Sequence, residues 1–227
     1  MSLSNPRQVN PAQKFIEWKG SEGHFYYYDK VEKKNVIIEK PIYIVPLDEL
    51  STIKGFHKQS ESSIYSNEVK NITKEVLIVK SFKGGLIASG LYADIKGKLE
   101  GGKFGKSVYA AMISSDGKEI NLVNFQFYGS SLGSFIDAKI NVDSGNVIIL
   151  SPSTDKLKNG TTEYFAPKIT KKEIRQDILD RCKAMDKDLQ NYLSGYLNKP
   201  IEETESATEA HKENISNDVQ DDDDLPF

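Results

Sequence analysis

The sequence predicts a mainly β fold, followed by one long C-terminal helix and a disordered acidic tail. Three observations predict it. Val, Ile, Tyr and Phe recur in short runs punctuated by Gly, Asn and Asp through residues 13–169, the pattern of strands joined by turns. Ile174, Ile178, Cys182, Met185, Leu189, Tyr192 and Tyr196 recur at intervals of three or four, which marks one apolar helix face. Residues 201–227 hold 10 acidic side chains and one basic side chain, with few large apolar groups to repay ordering entropy. The chain therefore divides into a polar leader (1–12), a β domain (13–169), a helix packed on it (170–198) and a protein-interaction tail (199–227).

The strands follow in order. Segments 15–19, 24–28 and 35–39 begin the series. Segments 41–45, 64–69, 76–82, 86–95, 107–114, 119–128, 147–151 and 163–167 continue it. Lys83-Gly84-Gly85, Ser115-Asp116-Gly117-Lys118 and Asp143-Ser144-Gly145-Asn146 supply turns between them. Gly129-Ser130-Ser131 and residues 132–138 read as a short helix crossing between strands. Many antiparallel strands with one such helix suit a small barrel or a sandwich; an OB-fold-like antiparallel barrel with enlarged loops is the preferred version. Thr170-Lys171-Lys172-Glu173 has the spacing of a capping box, and Asn198-Lys199-Pro200 ends the long helix. Its stripe packs on the barrel or, alternatively, serves self-association.

The 227 residues, 38% hydrophobic, suit one domain with appendages. No run approaches the ~20 apolar residues of a membrane span, so no membrane partner is expected. Met1 to Pro11 lacks the apolar core of a secretory signal, and Cys182 is the single cysteine, so a cytoplasmic location is expected. The net charge of −3 hides an asymmetry: residues 201–227 carry −9, whereas residues 1–200, with 23 acidic and 29 basic side chains, carry +6.

Enzyme patterns are missing from the sequence. His24, His57 and His211 lie far apart and one cysteine builds no zinc cluster. There is no G-x-S-x-G. Gly105-Lys106-Ser107 ends like a phosphate-binding loop, but that loop needs glycine where Glu100 stands, and a helix where a strand is predicted. No catalytic residue, metal or cofactor is expected.

Binding candidates are clearer. The segment from Lys96 to Tyr109 holds Lys96, Lys98, Lys103 and Lys106 with Phe104 and Tyr109, among four glycines. Lysines neutralise phosphates and aromatic rings stack on unpaired bases; an ordinary solvated hairpin tip is the alternative. In His24-Phe25-Tyr26-Tyr27-Tyr28, strand alternation puts His24, Tyr26 and Tyr28 on one face and Phe25 and Tyr27 on the other. One face is core; the other could be a stacking platform, with Lys30, Lys33 and Lys34 nearby. Trp18, Phe56, Tyr65, Phe82 and Tyr92 are further aromatic candidates.

The chain ends Asp221-Asp222-Asp223-Asp224-Leu225-Pro226-Phe227. An aromatic side chain beside a free carboxylate makes a compact plug for an apolar pocket flanked by basic groups, and the aspartates steer it towards basic partners. This ending resembles the C-terminal tip of bacterial single-stranded DNA-binding proteins, which finish in several aspartates, an apolar residue, then Pro-Phe. Carried over by position, Asp221, Asp222, Asp223 and Asp224 are the steering segment, and Leu225, Pro226 and Phe227 the docking tip. The body is longer than the bacterial OB domain. With Ile64-Tyr65-Ser66-Asn67-Glu68-Val69 and Lys106-Ser107-Val108-Tyr109 it looks more like the larger OB-type proteins of phages and prophages. Tetramerisation is therefore not carried over, and the oligomeric state stays open.

The resemblance implies sequence-independent binding of single-stranded DNA in replication, recombination and repair. Tyr26, Tyr28, Lys96, Lys98, Lys103, Phe104, Lys106 and Tyr109 are the candidate DNA contacts, and the tail would recruit replication or recombination proteins. A β-rich adaptor that uses the tail without nucleic acid and an RNA-binding OB protein are the alternatives; a metal-dependent nuclease ranks last.

Overall fold

The computed structural model describes residues 9–141 and 146–198. The expected tail, its docking tip 221–227 and most of the leader lie outside the described residues. In chain order the elements are β1 (Phe15–Lys19), β2 (His24–Asp29), β3 (Lys34–Ile38), β4 (Ile42–His57), β5 (Ser62–Ser66), β6 (Leu77–Ser81) and β7 (Leu86–Gly90). Then come α1 (Tyr92–Ile95) with a 3-10 turn (Lys96–Lys98), β8 (Gly102–Ile113), β9 (Ile120–Tyr128) and α2 (Gly129–Asp137). The last are β10 (Val147–Ser151), β11 (Lys156–Asn159), β12 (Thr162–Phe165), β13 (Lys168–Lys172) and α3 (Gln176–Leu197). No helix of the described residues is long and apolar enough to cross a membrane.

The fold is mainly β, but the sheet is open rather than a closed antiparallel barrel. Its strands run β3-β2-β1-β9-β8-β4-β5-β6-β7, with β10 joining β4 to β13, and β11 and β12 forming a separate ribbon. β1 pairs with β9 in parallel through Phe15–Asn124, Ile16–Phe125 and Glu17–Gln126, which departs from the all-antiparallel expectation. β4 sits at the centre. It pairs with β8 from Tyr43 to Gly55, with β10 at its start and with β5 at its end.

Alternation along β4, β8 and β9 produces two faces, and a bulge between Pro46 and Asp48 resets the alternation within β4. On the first face Ile16, Trp18, Phe25, Ile44, Val108, Ala110, Val123, Phe125, Phe127 and Phe135 form the main core. Phe127 stacks between Phe125 at 5.9 Å and Phe135 at 4.6 Å, and Trp18 meets Phe25 edge-on at 4.8 Å. Such pairs contribute about 0.5–1.5 kcal/mol each beyond area burial. A second cluster on the same face gathers Ile53, Ile64, Leu77, Val79, Ile95 and Leu99.

The opposite face receives α3. Ile178 and Cys182 pack on Val45, Ala111 and Ile113, and Leu189, Tyr192 and Leu193 pack on Leu50, Tyr109 and Leu122. Burial pushes the Cys182 thiol up to about 11, so the single cysteine behaves as a packed apolar group. The stripe read from the sequence is therefore the face that meets the sheet. Its start is not where the capping-box spacing put it. Thr170 and Lys171 pair with Ile149 and Ile148 across β13 and β10, so their backbone is committed to a ladder. The helix begins at Gln176, and Asp177, held by Arg175 at 3.0 Å, puts a negative charge in its first turn.

Other boundaries moved for similar reasons. The predicted strand 86–95 stops at Gly90 and turns into α1, because Ile95 is drawn into the second cluster. The predicted strand 64–69 ends at Ser66, yet Val69 rejoins the sheet by bridging Ser51.

Glu68, next to that bridge, is buried under α3. Its carboxylate accepts a hydrogen bond from the Tyr109 hydroxyl at 3.1 Å, and Tyr109 accepts one from Asn10 at 3.2 Å. Burial holds the Glu68 carboxyl above its ordinary range despite the bonds from Ser107 and Tyr109. Oε1 has no hydrogen-bond partner among the described residues. A carboxyl raised on folding adds stability below its unfolded pKa and loses it as pH rises through its folded value. Replacing Glu68 with Gln is therefore expected to raise Tm at pH 8 by about 3–6 °C. The difference from the native protein should close towards pH 4. Thermal unfolding across that range checks it, and a constant difference would show that ionisation of Glu68 is not its cause.

Candidate nucleic-acid interface

The face that carries α3 continues past the helix onto β1, β2, β5 and the far ends of β4, β8 and β9. Register shows which side chains share it. Tyr26 of β2 pairs with Glu17 of β1, Glu17 with Gln126 of β9, Tyr128 of β9 with Gly105 of β8, Lys103 with Lys54, Lys54 with Tyr65, and Tyr65 with Lys80. Directly paired residues project to the same side of a sheet, so these side chains line one surface. Tyr28 and Phe56, two residues along from Tyr26 and Lys54, join it.

Contacts tie the surface together. The Tyr26 hydroxyl donates to Glu17 Oε2 at 3.3 Å. The Lys54 ammonium bonds the same oxygen and lies over the Tyr128 ring, 4.7 Å from its centroid. Burial, with Glu17 nearby, holds the Tyr128 phenol well above its ordinary range. The Phe82 ring meets Tyr65 edge-on at 4.8 Å. Tyr65 is buried, whereas Tyr26, Tyr28, Lys54, Phe56, Phe82, Lys103 and Tyr128 are partly exposed. The surface thus interleaves aromatic rings with Lys54, Lys80 and Lys103, and holds one central carboxylate, Glu17.

Gly105 explains the geometry at Tyr128. A Cβ on Gly105 would come within 2.2 Å of the Tyr128 ring and 2.7 Å of the Phe127 carbonyl oxygen. The ring can lie against Gly105 of β8 only because no side chain stands there. The phosphate-loop look of Gly105-Lys106-Ser107 is therefore incidental: all three lie inside β8, with no helix after them.

The sequence-predicted contacts divide. Tyr26, Tyr28 and Lys103 come together on this surface. Phe104 and Lys106 project to the other face. Phe104 packs against Tyr92 with centroids 5.4 Å apart, and Lys106 bonds Glu49 at 2.7 Å and Ser51 at 3.2 Å. Tyr109 is 1% exposed and hydrogen-bonded beneath α3, so it offers no ring to a base. Lys96 and Lys98 are exposed on the 3-10 turn, whose neighbours Ile95 and Leu99 belong to the second apolar cluster of the first face. The segment is not a flexible hairpin tip. Lys96–Lys98 form the 3-10 turn and the segment is strand from Gly102 onwards, and a strand sends alternate residues to opposite faces. Of the tyrosine run, Phe25 is core and Tyr27 packs against the core while Lys14 covers its ring at 4.2 Å.

Lys54, Lys80 and Tyr128 were not found from sequence. Lys54 carried a usable signal, since Thr52, Lys54 and Phe56 alternate with Ile53 and Gly55 as one face of a long strand. Tyr128 carried none, because its position depends on a glycine in another strand.

Replacing Gly105 with Ala is expected to displace the Tyr128 ring and cost about 1–3 kcal/mol of stability through overpacking. Chemical denaturation and the Tyr128 ring resonances check it. Unchanged resonances with unchanged stability would mean that the ring does not lie against Gly105.

No family model, no curated protein and no solved structure matches this chain.

Proposed function

We propose that this protein binds single-stranded DNA without sequence preference, in replication, recombination or repair, and that residues 221–227 recruit other proteins of those processes. The surface of Tyr26, Tyr28, Lys54, Lys103 and Tyr128 carries the reading. Rings stack on unpaired bases of any sequence, and lysines between them meet the phosphates that link those bases. Duplex DNA would leave the rings without partners, because its bases are already stacked. A fold related to the OB barrel, opened along its long central strand, fits the same reading, since β4 serves two sets of neighbours across one bulge. In this reading the protein performs no chemistry and works in the cytoplasm of a bacterial host.

The test is titration of fluorescent oligo-dT with the full chain and its variants. Tyr26→Ala should cost ~1–3 kcal/mol of binding. Lys103→Ala should weaken binding and reduce the salt slope by ~0.7, one released counterion on a single strand. Lys106→Ala, on the opposite face, should leave the slope unchanged. Equal effects of Lys103→Ala and Lys106→Ala would remove this surface from the site. Absence of oligo-dT binding favours the adaptor reading, and tighter binding to oligo-U than to oligo-dT favours RNA.

The tail is tested separately. Phe227 supplies the plug and the aspartates the steering, so deleting Phe227 should reduce affinity for a replication partner more than tenfold, the ~2 kcal/mol of an anchor residue. Affinity for oligo-dT should barely change. Isothermal titration with polymerase, helicase and primase of the host measures the first effect, and undiminished binding to all of them would exclude residue 227 as an anchor.

A further inference from the structure

We propose that Glu17 occupies a phosphate subsite on the aromatic and lysine-bearing face, and that a bound strand displaces it. This rests on the reading of that face as the single-strand surface. The observation is the arrangement around one oxygen. Glu17 Oε2 accepts from both the Tyr26 hydroxyl, at 3.3 Å, and the Lys54 ammonium. A hydroxyl and an ammonium converging on one anionic oxygen is how proteins hold a backbone phosphate. The two donors come from different strands, β2 and β4, and Glu17 lies on β1 between β2 and β9.

The pair is not an ordinary surface ion pair. The Lys54 and Glu17 side chains are each only 19% exposed, and Tyr128 lies against the ammonium. Lys54 is therefore held at the centre of the surface, between Tyr26 and Tyr128, with its charge satisfied internally. A phosphodiester entering between those rings meets the same donors once the carboxylate gives way. Tyr26 and Tyr128 would then flank the phosphate and offer their rings to bases on either side. Glu17 keeps the subsite formed in the free protein and limits affinity, because each phosphate bound there must replace a carboxylate already in place.

The experiment compares five variants of the full chain in the oligo-dT titration across salt concentration, with Tm recorded for each. Glu17→Gln keeps the side-chain length and removes the charge. It should tighten binding about fivefold at low salt, the ~1 kcal/mol of one close charge interaction, and steepen the salt slope by ~0.7. Glu17→Asp keeps the charge but withdraws the carboxylate by one methylene, so it should give an intermediate gain. Glu119→Gln, an exposed acid in the turn between β8 and β9, makes the same change in net charge away from this surface and should give no gain. In a Lys54→Ala background the Glu17→Gln gain should shrink, because the competed donor has gone.

A Glu17→Gln gain no larger than that of Glu119→Gln, or Glu17→Asp binding like the native protein, overturns the subsite. If Glu17→Gln does not fold, Glu17→Asp decides alone. If the native chain binds no oligo-dT, the single-strand reading fails and the subsite with it. If the native chain binds and the Glu17 variants change nothing, only the subsite fails.

Discussion

Twelve paired positions join β4 to β8, and one bulge between Pro46 and Asp48 decides which face each of their side chains takes. Before the bulge Val45 faces α3 beside Ala111; after it Leu50 does so beside Tyr109. Without the extra residue, a single register would send Leu50 and Thr52 into the first face and expose Ile53, because one step along a strand exchanges the faces. The bulge lets one 16-residue strand serve the core, the docking of α3 and the aromatic surface in succession.

The two faces are consequently built from different chemistry. The first is apolar at its centre, and Lys106 enters it only where Glu49 and Ser51 supply partners. The second is polar along much of its length. Asn124 donates to Ser107 at 2.7 Å, Gln126 donates to Asn124 at 3.4 Å, and Glu68 lies buried beside Tyr109. α3 covers one end of this face with Leu189, Tyr192 and Leu193. The other end keeps its rings and lysines partly exposed. Burying polar groups costs free energy unless they are hydrogen-bonded, which is why this track is so thoroughly bonded and why Glu68, with one oxygen lacking a partner among the described residues, is its weak point.

Local patterns in the sequence revealed much of the fold. β1 (Phe15–Lys19) and β10 (Val147–Ser151) were legible to the residue, because β-branched and aromatic side chains cluster between clear turn residues. The stripe of α3 was legible because a 3.6-residue period needs no knowledge of the partner surface. The alternation of Phe25 against Tyr26 was legible for the same reason. The capping-box spacing at Thr170 misled, because local side-chain chemistry there lost to ten residues paired between β10 and β13. The lysine-rich segment 96–109 misled because glycines suggested a loop, whereas Gly105 is a strand residue that makes room for a distant ring.

The sequence by itself therefore determined what each segment could be: a strand with two unlike faces, a helix with one apolar stripe, a body and a tail of opposite charge. Tertiary structure decided which unlike face met the core and which residues ended as neighbours. Lys103 and Phe104 are adjacent in the chain, yet they belong to opposite faces. Tyr26, Glu17, Lys54 and Tyr128 span more than a hundred residues of sequence and touch in one network. The physical reason is that side-chain alternation is a property of the strand alone, whereas register, bulge and strand order arise only when distant strands share hydrogen bonds.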